Sequence, residues 1–374
     1  LAARFDPKSL KRIVIKVGSS SIVNPAGLVR LGFLGKLTTT IAQLQKQGTA
    51  TALVSSGAIA LGARRVAHGK RPERVQDKQA CAAVGQMELM TLYEKLFSSL
   101  QLQTGQVLLT RDDLEDRRRY LNARDTLLRL LGLGVVPIIN ENDSVSVDEI
   151  QFGDNDFLSA LVAGLIDADL LILLTDVEGL HDGDPAVDPT AKIVPLIDGP
   201  LDELLGLAGE KSGALGAGGM RSKLSAANLC RQYGIPCLIA QSKGSVLEQA
   251  LRGEDVGTFA VPLPNKVGGR GRWLAKAAAV QGALTLDAGA TSALRDGGKS
   301  LLPKGVAKIE GSFPRGAVVV LNGPDGGEIG RGVVRYGSED LARVRGRRGD
   351  EIEGVLGFTF GDEIVHRDDL VLTV

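Results

Sequence analysis

The sequence predicts an α/β fold, a mostly parallel open sheet sandwiched by helices, joined to a small β-rich domain at the carboxyl end. Three observations carry this. Short apolar runs rich in β-branched residues alternate with longer amphipathic stretches, the pattern of parallel strands covered on both faces. Gly, Ser, Asn and Asp recur just after the apolar runs, where an open α/β sheet gathers its ligand-binding loops. The composition then changes near residues 263–272, LPNKVGGRGR, to shorter β-rich runs between glycine-rich turns. The expected division is a first domain over 1–262, a linker over 263–280 and a second domain over 281–374.

The elements follow in order. KRIVIKV at 11–17 is a strand that ends at Gly18, and the segment from about Leu28 to Gln47 reads as a helix closed by Gly48. TATALVSSGAI repeats the scheme as strand, Ser-Ser-Gly turn and helix. A helix over about 77–100, the strand GQVLLT and a charged helical segment through Leu131 come next. The strand VVPII opens into NENDSVSVDEIQFGDND, an acidic loop with a hairpin. A helix over Phe157–Leu165, the strand DLLILLTD, a Gly/Asp/Pro-rich stretch, a helix over Gly219–Tyr233 and the strand IPCLIA complete the first domain. The tail shows ALTL, AVVVL, IGRGVV and LVLTV as strands, with one or two short helices.

Composition narrows the function. The chain of 374 residues is long enough for two cores and carries 44 basic against 44 acidic residues. That balance argues against a protein whose main task is gripping nucleic acid. Cys81, Cys230 and Cys237 have no metal-ligand spacing and read as reduced core residues. No signal-peptide core opens the chain, and the longest apolar stretch, at 161–174, is interrupted by Asp167 and Asp169. A cytoplasmic protein with no membrane span is the expectation.

Three glycine-bearing segments can cradle phosphate: KVGSS at 16–20, SSGAI at 55–59 and GAGGMRSK at 216–223. Glycine lets backbone N–H groups converge on an anion, and a following helix adds its positive end. Taken singly each is an ordinary α/β turn. Lys16 and Lys223 within two of them can stabilise a transferring phosphoryl group. The acidic segment supplies Asn140, Glu141, Asn142, Asp143, Asp154, Asn155 and Asp156, groups able to bind an ammonium, hold Mg²⁺ through water or orient the lysines. Thr175 and Asp176 mark a further strand end. GGKS at 297–300 lacks the leading glycine of a Walker loop, and HRDDL at 366–370 lacks the other motifs of a protein kinase. His68, His181 and His366 have no ligand-like spacing, and Arg117 to Arg119 beside Asp112, Asp113, Glu115 and Asp116 read as a solvated helix face.

With these segments in hand the chain resembles the amino acid kinase superfamily and, within it, the glutamate 5-kinase family. The resemblance runs through KVGSS, LVSSGAIALG, AAVGQ, LLTRDD, YLNARDTL, VPIINENDSV, FGDNDFLSALVA, LLILLTDVEGL, GAGGMRSKLSAA and GTFAVP. In the tail, LDAGATSAL, SLLPKGV, GEIGRGVVRY and EIVHRDDLV resemble the PUA domain appended in that family.

The resemblance implies ATP-dependent phosphorylation of the γ-carboxylate of L-glutamate, with Mg²⁺ arriving on ATP and no certain protein metal site. It implies Lys16, Lys223 and Asp156 as the catalytic set and Ser56, Gly57, Asp143, Asp154 and Asn155 as the glutamate-binding set. It implies Lys16, Gly18, Ser19, Thr175, Asp176 and the run Ala217, Gly218, Gly219, Met220, Arg221, Ser222, Lys223 as the nucleotide-binding set. A homo-oligomer and feedback inhibition by L-proline also follow from it.

The third loop departs from the family's GTGGM–Thr–Lys pattern. Ala217 and Ser222 replace threonines, and Arg221 adds bulk and charge. A hydroxyl lost at 217 removes a hydrogen bond to the nucleotide worth about 0.5–1.5 kcal/mol. Two other functions fit parts of the chain. One is a sibling kinase acting on N-acetylglutamate, aspartate, carbamate or a nucleoside monophosphate. The other is RNA binding through the PUA-like tail, which carries 12 Lys and Arg against 14 Asp and Glu and so lacks a basic footprint as a whole.

Overall fold

The computed structural model describes residues 4–67, 69, 72–145, 155–183, 188, 190–199, 219–263, 280–295 and 298–372. The hairpin expected within the acidic loop, the candidate site residues Asp154, Ala217 and Gly218, and nearly all of the expected linker lie outside the described residues. The chain divides into two compact units, Leu1–Asp113 with Arg118–Lys266, and Leu114–Arg117 with Val267–Val374.

The first unit is built on an eight-stranded sheet. Its strands are β1 (Arg12–Val17), β2 (Ala50–Ser55), β3 (Thr104–Leu109), β4 (Val136–Glu141), β5 (Leu170–Thr175), β6 (Leu196–Ile197), β7 (Cys237–Gln241) and β8 (Thr258–Ala260). They lie in the order β3-β4-β2-β1-β5-β7-β8-β6. Every pairing is parallel except β7 with β8. The central strands are buried along nearly their whole length, which is why they read as unbroken apolar runs rather than as alternating ones. Ile13, Ile15, Leu53, Ile138, Leu170 and Ile172 form the middle of the core. Asp169 fixes the entry of β1, accepting from the N–H groups of Lys11 at 2.7 Å and Arg12 at 2.8 Å.

The order of the strands sets the position of the site. From the central β1 the chain builds outward on one side through β2, β3 and β4. It then crosses back through a helix at Asn155–Leu165 and continues on the other side with β5 and β7. The reversal creates a crevice at the carboxyl ends of the strands, beside β1. The crossing helix begins two residues before the sequence predicts, so Asn155 and Asp156 occupy its first turn rather than the preceding loop.

The long helix over Val75–Ser98 packs against the shorter one over Ala58–Val66 at unusually close range. A Cβ at Gly62 would overlap the carbonyl of Cys81, and one at Gly85 would overlap the carbonyl of Ala58. The charged segment beyond β3 forms two helices, Arg111–Glu115 and Arg117–Gly132.

The second unit holds a five-stranded sheet of β9 (Val280–Leu286), β10 (Val306–Glu310), β11 (Val318–Asn322), β12 (Glu328–Val333) and β13 (Leu370–Leu372), in the order β10-β9-β11-β12-β13. Among the described residues only β9 with β11 is parallel. Three short α-helices among the described residues accompany it, Ala288–Arg295, Ser338–Val344 and Ile352–Leu356, where the sequence suggests one or two. β10 is a strand that the sequence pattern hides, because Lys308 and Glu310 break its apolar run. Tyr336 is fully buried among Leu284, Val319 and Ile364. Its hydroxyl donates to the Gly361 carbonyl at 2.6 Å and accepts from the Phe360 N–H at 2.8 Å.

Candidate active site

Asp156 is the buried centre of the site, with none of its surface exposed. Lys16, one residue before the end of β1, places its Nζ 2.5 Å from Asp156 Oδ1. Lys223, in the first turn of the helix over Met220–Gln232, places its Nζ 3.1 Å from Asp156 Oδ2. Both lysines are themselves buried. Ser222 Oγ donates to the same Oδ2 at 3.0 Å and lies 2.8 Å from the Gly219 carbonyl. The hydroxyl kept at 222 therefore meets the central carboxylate.

One buried carboxylate is shared by two buried ammonium groups. Isolated charges there are costly, and a carboxylate bridging two cations reduces that cost while fixing their positions. Fixed cations act most strongly on a negatively charged group where water is excluded.

Asn155 faces a second group. Its Nδ2 donates to Ser56 Oγ at 2.9 Å and to Asn140 Oδ1 at 2.8 Å. Asn140, at the end of β4, donates in turn to Gln86 Oε1 at 2.9 Å. Ser56 is held from behind, because Tyr93 and Ser55 share a hydrogen bond of 2.8 Å and Ser55 Oγ donates to the Ser56 carbonyl at 3.1 Å. Burial pushes the Tyr93 phenol up, so it stays neutral. Gly57 takes φ of +101° at the cap of the next helix, a conformation that favours glycine. Asp143 lies two residues beyond Glu141. Burial, and then the charge of Glu141, push its carboxyl up to about 7.

The structure thus brings Lys16, Lys223, Asp156 and Ser222 into one cluster, and Ser56 and Asn155 into a neighbouring one. Gly18 caps the short helix that starts at Ser19, and a Cβ on it would stand 3.8 Å from Lys16 Nζ. Thr175 Oγ1 donates to Asp176 Oδ1 at 3.1 Å. The Thr175 carbonyl accepts from the Ser242 N–H at 2.7 Å, and that of Asp176 from Gln241 Nε2 at 3.1 Å, so this pair joins the ends of β5 and β7. Gly219 caps the Met220–Gln232 helix, and Arg221 is exposed on its first turn. Nothing in the structure explains the arginine at 221.

Sequence reasoning singled out Asn140 only as one member of the acidic segment, and it gave Gln86, Ser55 and Tyr93 no role. Gln86, half-buried, and Tyr93, fully buried, lie within the long Val75–Ser98 helix, where one polar residue gives no periodic signal. The only pointer was the place of Gln86 in AAVGQ.

A mostly parallel α/β sheet with paired lysines and a carboxylate at its switch point is a phosphoryl-transfer architecture, and residues 11–241 match the amino acid kinase family. The chain belongs to that family. Residues 282–356 match the PUA domain. Among its relatives are proteins named glutamate 5-kinase. That of Geobacter sp. (strain M21) is 44% identical over 366 residues, covering 98% of each chain. That of Carboxydothermus hydrogenoformans is 46% identical over 366 residues, again 98% of each chain. That of Burkholderia vietnamiensis is 47% identical over 363 residues, 97% of this chain and 98% of its own.

Proposed function

We propose that the protein is an ATP-dependent glutamate 5-kinase, producing L-glutamyl 5-phosphate for proline biosynthesis. A γ-carboxylate oxygen of L-glutamate attacks the γ-phosphorus of ATP. A new P–O bond forms to that oxygen as the bond to the β–γ bridging oxygen breaks, and ADP leaves. The carboxylate is already ionised near neutral pH, so no general base is required. Catalysis rests on positioning and on fixed charge.

The observation that carries this reading is the Lys16–Asp156–Lys223 cluster joined, through adjacent residues of one helix, to Asn155 and Ser56. Lys16 and Lys223 stabilise the phosphoryl group in flight while Asp156 holds them. Ser56, Gly57, Asp143, Asp154 and Asn155 bind the amino acid. Gly18, Ser19, Thr175, Asp176 and residues 217–223 hold the nucleotide. Among the described residues no group of three or more His, Cys, Asp and Glu is arranged to hold a metal. Mg²⁺ carried by the nucleotide would supply charge neutralisation on the phosphates.

Residues 1–262 form the kinase domain, 263–280 the linker and 281–374 the PUA domain. Three buried, free cysteines fit a reducing, cytoplasmic setting, and no helix among the described residues is long and apolar enough to cross a membrane. A homo-oligomer and inhibition by L-proline belong to the same proposal, read out by light scattering and by adding proline to the assay.

The test is incubation with ATP, Mg²⁺ and hydroxylamine, which traps acyl phosphates as coloured hydroxamates, in parallel with glutamate, N-acetylglutamate and aspartate. Colour with glutamate alone is expected. Colour with another acid instead would replace the substrate and keep the chemistry.

A further inference from the structure

Asn155, Asn140 and Gln86 form a chain of three amides with one direction. Asn155 Nδ2 spends both hydrogens, one on Ser56 Oγ and one on Asn140 Oδ1. Asn140 can present its oxygen to Asn155 because its Nδ2 is engaged by Gln86 Oε1. At the far end Asn155 Oδ1 is buried and has no protein partner among the described residues, and at the near end the same holds for Gln86 Nε2. Each amide offers a donor on one side and an acceptor on the other, so the orientation of Gln86 is coupled through Asn140 to what Asn155 shows to a ligand.

We propose that Gln86 is a positioning residue for the amino-acid substrate: by accepting from Asn140 it turns the Asn155 amide so that Oδ1 is offered as an acceptor to the substrate's ammonium group. The inference rests on the kinase reading above and adds a residue that the sequence left without a role. Backbone packing explains how a residue from the Val75–Ser98 helix comes to act here. Gly85, the preceding residue, lets that helix press against Ala58 and Gly62, next to the Ser56–Gly57 turn. Tyr93, two turns further on, braces the same turn through Ser55. The helix therefore holds Ser56 by its main chain and Asn155 by its side chain.

A carboxylate at 86 can only accept and preserves the direction. A thioether of similar length does neither job well, and Asn140 is then free to reverse. The experiment compares Gln86→Met and Gln86→Glu with the unaltered protein in the hydroxamate assay, varying glutamate and ATP separately. For Gln86→Met, KM for glutamate is expected to rise about tenfold, the scale of one hydrogen bond to a charged group, while kcat and KM for ATP stay within about twofold. For Gln86→Glu, KM for glutamate is expected to remain close to that of the parent. An unchanged glutamate KM in Gln86→Met overturns the proposal, as does equal impairment of the two variants or a joint loss in kcat and both KM values. An unaltered protein that forms no hydroxamate from any amino acid overturns the functional reading, and this inference with it. An active parent with an indifferent Gln86→Met overturns this inference alone.

Discussion

Asn155 and Asp156 are neighbours in the chain but serve different partners, Asn155 bonding to Ser56 and Asn140 while Asp156 binds Lys16 and Lys223. Successive residues of a helix are turned about 100° from each other, so the first turn of one helix can address two neighbouring groups at once. In the proposed function the acceptor side and the phosphoryl side of the site thereby share one rigid origin. Four measurements test this arrangement.

Lys223→Ala is expected to lower kcat by about 10²–10³-fold, as loss of a fixed charge in a water-excluded site does elsewhere. KM for glutamate should change little, because Lys223 is bonded to Asp156 on the side of the cluster assigned to the phosphoryl group. Steady-state kinetics decide it, and preserved turnover would remove Lys223 from the role assigned here.

Asp156→Asn leaves two buried ammonium groups without their shared counter-charge. Breaking a buried ion pair by removing one partner typically costs about 3–5 kcal/mol, and a similar loss of folding stability is expected. Urea denaturation measures this directly. An unchanged midpoint would mean that the lysines find water or other partners once the carboxylate is gone.

Asp143, raised to about 7, makes glutamate binding depend on pH. The substrate's ammonium favours the ionised carboxylate, so affinity approaches its full value about one unit above that pKa and falls as pH drops through it. One unit below that pKa only about a tenth of the group is ionised, and KM for glutamate should be about tenfold above its alkaline limit. Turnover at saturating glutamate should not follow. The profile of KM against pH should flatten in Asp143→Asn, and a profile that persists there assigns the titration to another group.

Gly85→Ala forces a methyl group into the carbonyl of Ala58. Overpacking of this kind costs about 1–3 kcal/mol, because the two helices must separate. The melting temperature should fall, and KM for glutamate should rise, since the Val75–Ser98 helix carries Gln86 and Tyr93. An alanine accepted with no change in either would show that the helix contact is softer than its geometry implies.

Much of this was legible in the residues themselves. Runs such as RIVIKV and VVPII announce buried parallel strands because both faces are covered and no polar alternation is needed. Lys16, Asp156 and Lys223 stood out through their place beside glycine turns and in an acidic cluster, yet their mutual distances came only from the fold, since 67 residues separate Asp156 from Lys223. Gln86 was hidden for a different reason. In a helix with three to four residues per turn, one inward polar side chain among apolar neighbours looks like an ordinary interruption. β10 escaped notice because its exposed lysine and glutamate obscure an edge strand of only five residues.

The shared first turn of the Asn155–Leu165 helix also separates two kinds of evolutionary change. On the proposed roles, substitutions at Ser56, Asn140 or Gln86 would remodel what the site accepts while Asp156 keeps its lysines, so new acceptors would be reachable by point changes that spare the transfer chemistry. A single inserted or deleted residue ahead of that helix is another matter. It would swing both side chains out of register together, so specificity is free to drift at this site while spacing is not.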